Sequence, residues 1–139
     1  MIIVGSTNAD VGIQRGMDIL RNGGSAIDAV EATIRLVEDN PEDHTVGFNS
    51  YPNVLGELQL DASIMDGSTL ETGAVAAVRG YREAISIARK VKEALPHVLL
   101  AGEGAERFAA EMGFEHQPHM VTEKISELRE ERLKEDMPQ

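Results

Sequence analysis

Residues Leu60–Gly80 read LDASIMDGSTLETGAVAAVRG. From Glu57 to Asp66, Leu58, Leu60, Ala62 and Ile64 alternate with Gln59, Asp61, Ser63 and Met65. A period of two predicts a strand with one buried face. Asp66-Gly67 predicts a turn, because glycine tolerates positive φ and aspartate bonds its own following backbone. Gly73–Val78 predicts a second strand, whose small residues let another layer approach its backbone closely. Pattern alone describes an ordinary hairpin in an α/β core.

On the N-terminal side, Ile2–Gly5 reads as a short buried strand. Asn8 is positioned to cap a helix carrying Ile13, Met17 and Leu20, and Gly23-Gly24 ends it. Ser25 opens a second helix, with Asp28 three residues on as in a capping box. Its apolar stripe is Ile27, Val30, Ile34 and Val37, and Glu38-Asp39-Asn40-Pro41 stops it. Residues 40–56 lack periodicity, and a compact domain rarely keeps a loop this long without a use for it.

On the C-terminal side, Tyr81–Leu95 predicts a helix with Ala84, Ala88, Val91 and Leu95 inward, closed by Pro96. His97–Ala101 predicts a strand. Gly104–Met112 predicts a helix with Ala105, Phe108, Ala109 and Met112 inside. Thr122 caps a last helix to about Glu135, whose charge density marks a surface helix or linker.

The 139 residues suffice for one modest domain, with 42% hydrophobic and 27% charged side chains. The formal charge of −11 leaves no basic face for nucleic acid or an anionic membrane surface. There is no cysteine, which excludes disulfides and thiolate metal sites. Met1–Val4 is too short for a secretory signal and no run reaches transmembrane length, so the expected location is cytoplasmic.

Hydrolytic chemistry needs a nucleophile with a base beside it, and the sequence offers no convincing internal pair. His116 and His119 have Pro118 between them, which breaks helical ligand spacing. His44 in the loop reads as solvated and His97 as structural. Asp61 and Asp66 could pair as carboxylates; the plainer expectation is that Asp66 holds the turn and Asp61 a structural bond.

Taken in order, the segments resemble the glycosylasparaginase / isoaspartyl peptidase family (plant-type, type III asparaginases) of N-terminal-nucleophile hydrolases. The hairpin matches a family segment LDA-x-(I/V)-MDG-x-T-x-x-x-GAV. Gly23–Glu31, Val46-Gly47-Phe48, Pro52–Glu57, Ala88–Val91, Pro96–Leu100 and Gly102–Ala105 extend the match. The resemblance covers residues 1–115 as the core of an α subunit. Residues 116–139 then form a charged helix or linker preceding a self-cleavage site.

The resemblance implies a four-layer αββα sandwich of which this chain supplies half. It implies a nucleophilic Thr opening a separate β subunit, an (αβ)2 assembly, and no catalytic residue within this chain. The family motif around that Thr is absent from the sequence. Thr45 matches a Ser or Asn position beside the nucleophile, in company with Gly47. Asp66 and Gly67 match residues near the active-site floor. The loop carrying Glu38, Asp39, Pro41, His44, Val46 and Phe48 matches one that wraps a structural sodium ion with backbone carbonyls; no other cofactor is implied. Thr7 and Ala9 stand where glycosylasparaginases have an aromatic pair, Thr7 at a substrate-contacting position. That departure favours small β-aspartyl substrates, isoaspartyl dipeptides or L-asparagine, over a glycosylated asparagine. The alternatives are a glycosylasparaginase after all, and a non-enzymatic α/β binding or scaffold domain that kept the fold and lost the nucleophile.

Overall fold

A computed structural model describes residues 1–136. The last residues of the expected tail, 137–139, lie outside the described residues. A 3₁₀ turn, Thr7–Ala9, leads into α1 (Asp10–Arg21) and α2 (Ala26–Glu38). The long loop follows, then β1 (Leu60–Met65), β2 (Thr72–Val78), α3 (Ala84–Ala94), β3 (Leu99–Ala101), α4 (Glu103–Glu111) and α5 (Glu123–Asp136). The strands form one mixed sheet in the order β1-β2-β3. β1 and β2 are an antiparallel hairpin, and α3 crosses over to bring β3 parallel to β2.

The helices begin and end for local reasons. Ser25 accepts the Asp28 N–H while the Asp28 carboxylate accepts the Ser25 N–H, so the capping box forms as expected. Asn8 does not cap α1: Ser6 and Ala9 flank the two helical segments without side-chain capping bonds, and the Asn8 amide reaches Asp43 instead. α1 and α2 lie almost backbone to backbone. A Cβ at Gly12 would collide with the Thr33 carbonyl, and one at Gly16 would stand 2.9 Å from the Ala29 carbonyl oxygen.

The core forms on one face of the sheet. Leu60, Ile64, Val75 and Val78 meet Ile85, Ile87, Ala88 and Val91, with Ala105, Phe108 and Ala109 completing it from α4. Gly73 allows this packing, since a Cβ there would strike the Ala88 carbonyl and come within 2.6 Å of the Lys92 nitrogen. The opposite face is bare: Ser63, Met65, Leu99 and Ala101 are exposed. Met112 also lies exposed just past α4 and is not part of the core as its spacing had suggested, because the helix ends at Glu111.

Ile2–Gly5 is not a buried strand: Ile2 is 84% and Val4 86% exposed, and the segment pairs with none of the described strands. A strand needs a neighbour to take its hydrogen bonds, and apolar spelling cannot supply one. In the hairpin turn the left-handed residue is Leu70 (φ 63°), not Gly67. Asp66 makes this work by taking the Ser68 N–H on its carboxylate and the Leu70 N–H on its carbonyl.

α5 is docked rather than free. Ile125 is fully buried, and the Arg129 guanidinium donates to the carbonyls of Asn53 and Val54 in the long loop. Asn49 ties the same two regions, donating its N–H to the Met120 carbonyl and accepting both the N–H and hydroxyl of Thr122.

Candidate active site

A cavity of about 590 Å³ opens between the N-terminal segment, α2, the long loop, β1 and the start of α3. The bare side of β1 contributes Asp61 and Ser63, the loop Thr45 and Gly47, and the helices Ala9 and Glu38.

Thr45 sits exposed on the cavity wall. Its hydroxyl donates to Asp43 Oδ1 at 2.5 Å, and its backbone N–H donates to the same oxygen at 2.9 Å. The other carboxylate oxygen of Asp43 accepts the Asn8 amide at 2.9 Å, and Asn8 in turn accepts the Ser6 hydroxyl at 2.5 Å. These donors, the Thr45 hydroxyl foremost, hold the Asp43 carboxyl below its ordinary range. Gly47 is buried at φ 69°, and a Cβ there would press on the Glu38 backbone. Only glycine lets the loop fold back over the end of α2 in this way.

Glu38 is buried at the end of α2, and one of its carboxylate oxygens has no hydrogen-bond partner. The other accepts the Ile85 N–H at 2.9 Å. Burial pushes its carboxyl up to about 8, the single hydrogen bond offsetting that only in part. Asp61 accepts the Ala77 N–H at 2.7 Å, where the hairpin register slips and Ala77 turns to φ 52°. It braces a β-bulge in β2 from the cavity side of β1.

Of the residues singled out in the sequence, Thr45, Gly47, Glu38, Val46 and Ala9 are brought together around the cavity. Thr7 is exposed in the 3₁₀ turn and does not line it, although its neighbours Ser6 and Asn8 do. Asp66 and Gly67 hold the far turn of the hairpin and do not reach the cavity. Asp39 pairs with Arg82 at 3.1 Å, and Arg82 stacks over Phe48 at 4.2 Å.

Three of the backbone carbonyls that the resemblance assigns to a sodium ion are engaged within the loop. The carbonyls of Glu38, Pro41 and His44 each accept an N–H from within the loop, from Phe48, the Asn49 amide and Tyr51. Each of these oxygens keeps a second lone pair, so the hydrogen bonds order the loop without filling its carbonyls. Among the described residues no group of three or more His, Asp or Glu side chains is arranged for a metal, and no helix is long and apolar enough to cross a membrane. His116 packs edge-on against Tyr81.

Sequence reasoning passed over Asp43, and it named Glu38 for its backbone carbonyl rather than for its buried carboxyl. Both left a signal. Asp43 stands two residues before Thr45, the spacing of an aspartate that bonds a following N–H and hydroxyl. Glu38 falls four residues after Ile34, on the apolar stripe of α2.

The asparaginase family model matches residues 7–139. The rat protein named isoaspartyl peptidase/L-asparaginase is 45% identical over 121 residues, covering 85% of this chain and 36% of the relative. The human protein of the same name is 48% identical over 111 residues, covering 78% and 36%. The plant-type L-asparaginase of Pyrococcus horikoshii is 47% identical over 114 residues, covering 82% and 36%. The chain thus spans little more than a third of the length of the curated relatives it matches. With its hairpin, long loop and cavity in that setting, the chain belongs to the asparaginase family.

Proposed function

We propose that this chain is the α-subunit part of an amidohydrolase that cleaves β-aspartyl amides, isoaspartyl dipeptides and L-asparagine, through a threonine nucleophile carried outside it. The observation that carries this reading is Thr45, a hydroxyl on the wall of a 590 Å³ cavity, set on a loop braced by its own hydrogen bonds. The names of the rat, human and archaeal relatives supply the reaction class.

In this reading the bare face of the sheet, with Met65 and Leu99 exposed, receives a second sheet and completes a four-layer αββα sandwich. The β subunit from the same precursor supplies that sheet and the Thr, and two αβ units assemble as (αβ)2. The nucleophile attacks the β-carbonyl of the substrate, the amine leaves, and water releases aspartate from the acyl-enzyme. This chain's contribution is to wall the site and to place Thr45 beside the reacting groups. A small residue, Ala9, at the cavity suits a substrate without a sugar. Any sodium ion in the loop would be structural, and the reaction as proposed uses no cofactor.

The test is to express the whole polypeptide, determine intact masses and the N-terminal residue of every chain, and assay β-aspartyl dipeptide, L-asparagine and GlcNAc-asparagine. A companion chain beginning with Thr, with turnover of the first two substrates, supports the proposal. A preference for the glycosylated substrate replaces it with a glycosylasparaginase. A single uncleaved, inactive species replaces it with the scaffold reading.

A further inference from the structure

We propose that Asp43 is a positioning residue for the reaction: it accepts the hydrogen bond of the Thr45 hydroxyl and so presents that hydroxyl to the cavity as an acceptor only. This inference rests on reading the cavity as the place where the amide is hydrolysed.

A threonine hydroxyl has one proton to donate and lone pairs with which to accept. Left free, it rotates to suit whichever partner arrives. Here the proton is committed, because Thr45 Oγ1 donates to Asp43 Oδ1 at 2.5 Å. What remains towards the cavity is an oxygen whose lone pairs accept, made a stronger acceptor by the carboxylate behind it. The partner it selects is a hydrogen-bond donor: the O–H or ammonium of a nucleophile, or the N–H of the reacting amide. A bare carboxylate or carbonyl oxygen is turned away.

The carboxylate is itself held from both sides. Oδ1 takes the Thr45 N–H together with the hydroxyl, and Oδ2 takes the Asn8 amide. Asn8 lies 35 residues away along the chain, and Ser6 orients it by donating to its carbonyl oxygen. An aspartate serving only its local turn needs Oδ1 alone. The second bridge fixes the carboxylate plane against the 3₁₀ turn and carries the N-terminal segment into the geometry of Thr45. Ser6, Asn8 and Thr45 all line the cavity, so the relay runs along its wall.

The experiment uses the whole polypeptide and compares wild type with Asp43→Ala, Asp43→Asn, Thr45→Val and the double variant Asp43→Ala/Thr45→Val. kcat and KM are measured on β-aspartyl dipeptide and L-asparagine, beside melting temperature and the fraction of cleaved precursor. Asp43→Ala is expected to lower kcat by about tenfold or more with KM nearly unchanged. Asp43→Asn keeps an oxygen for the Thr45 hydroxyl and is expected to retain much of the rate. The double variant is expected to be no worse than Thr45→Val alone, since residues acting as one unit are not additive. A processing defect shared by both single variants and not deepened in the double has the same meaning.

Unchanged kinetics in Asp43→Ala, losses that multiply in the double variant, or losses that follow melting temperature would each overturn the inference and leave the proposed function standing. A wild type silent on every substrate would overturn the function, and the inference with it.

Discussion

The Glu38 carboxylate at the last turn of α2 caps the first turn of α3, where its Oε1 accepts the Ile85 N–H at 2.9 Å. The residue before α3, Glu83, makes no capping bond, so a side chain 47 positions before Ile85 does that work. The arrangement joins two helices through one buried acid whose other oxygen is unpartnered.

Its pH consequence has a definite sign. The folded carboxyl lies at about 8 against an ordinary 4.5, so between those values the folded state keeps a proton that the unfolded chain has released. Stability is therefore lost as pH rises from about 4.5 to about 8. Glu38→Gln keeps the acceptor for Ile85 and removes the titration. Urea unfolding should show the variant more stable than wild type at pH 8.5, by roughly 2–4 kcal/mol, and nearly equal to it at pH 5. Parallel pH slopes for the two proteins would refute this.

Gly73→Ala should be costly despite its small size. The added methyl meets backbone, the Ala88 carbonyl and the Lys92 nitrogen, which no side-chain rotation relieves. α3 must lift from β2, at about 2–3 kcal/mol. Chemical denaturation of the variant gives the number, and a loss below about 0.5 kcal/mol would mean that the helix slides freely.

Thr45→Val keeps the shape of the side chain and removes its oxygen. A ten- to hundredfold fall in kcat/KM is expected, about 1.5–3 kcal/mol of transition-state stabilisation. The exposed position predicts a stability change within about 1 kcal/mol. A melting temperature that falls in step with activity would instead make Thr45 a loop support.

Ser25→Ala removes the acceptor for the Asp28 N–H and one half of the capping box. About 1 kcal/mol of stability should go with it, measurable by thermal unfolding. Asp28 also bonds Arg89 of α3 at 2.7 Å, so it stays in place after the change. If Ser25→Ala proves neutral, Arg89 alone is enough to start α2.

Where the governing interactions are close in sequence, the reading of the chain holds. The alternation through Leu60 and Ile64, the Ser25–Asp28 box and the Pro96 stop each act within a few residues, and each appears in the structure. Where the partner is distant, the reading fails. Asn8 reads as a helix cap, but its side-chain oxygen accepts the Ser6 hydroxyl and its NH2 donates to Asp43, 35 residues on. Ile2–Gly5 spells a strand with no neighbour among the described ones. The cavity is a meeting of α2, loop and β1, so the sequence named Thr45 and Gly47 through family likeness but passed over Asp43 and the side-chain role of Glu38.

The long loop has a thermodynamic consequence of its own. Phe48 to Glu38, Asn49 to Met120, Tyr51 to His44 and Asn53 to Glu57 close it by backbone hydrogen bonds, and Arg129 clasps it from α5. The conformational entropy of ordering these residues is spent when the chain folds. Whatever enters the cavity meets a wall already in its final shape. A loop held in this way leaves little of its own ordering cost to subtract from affinity.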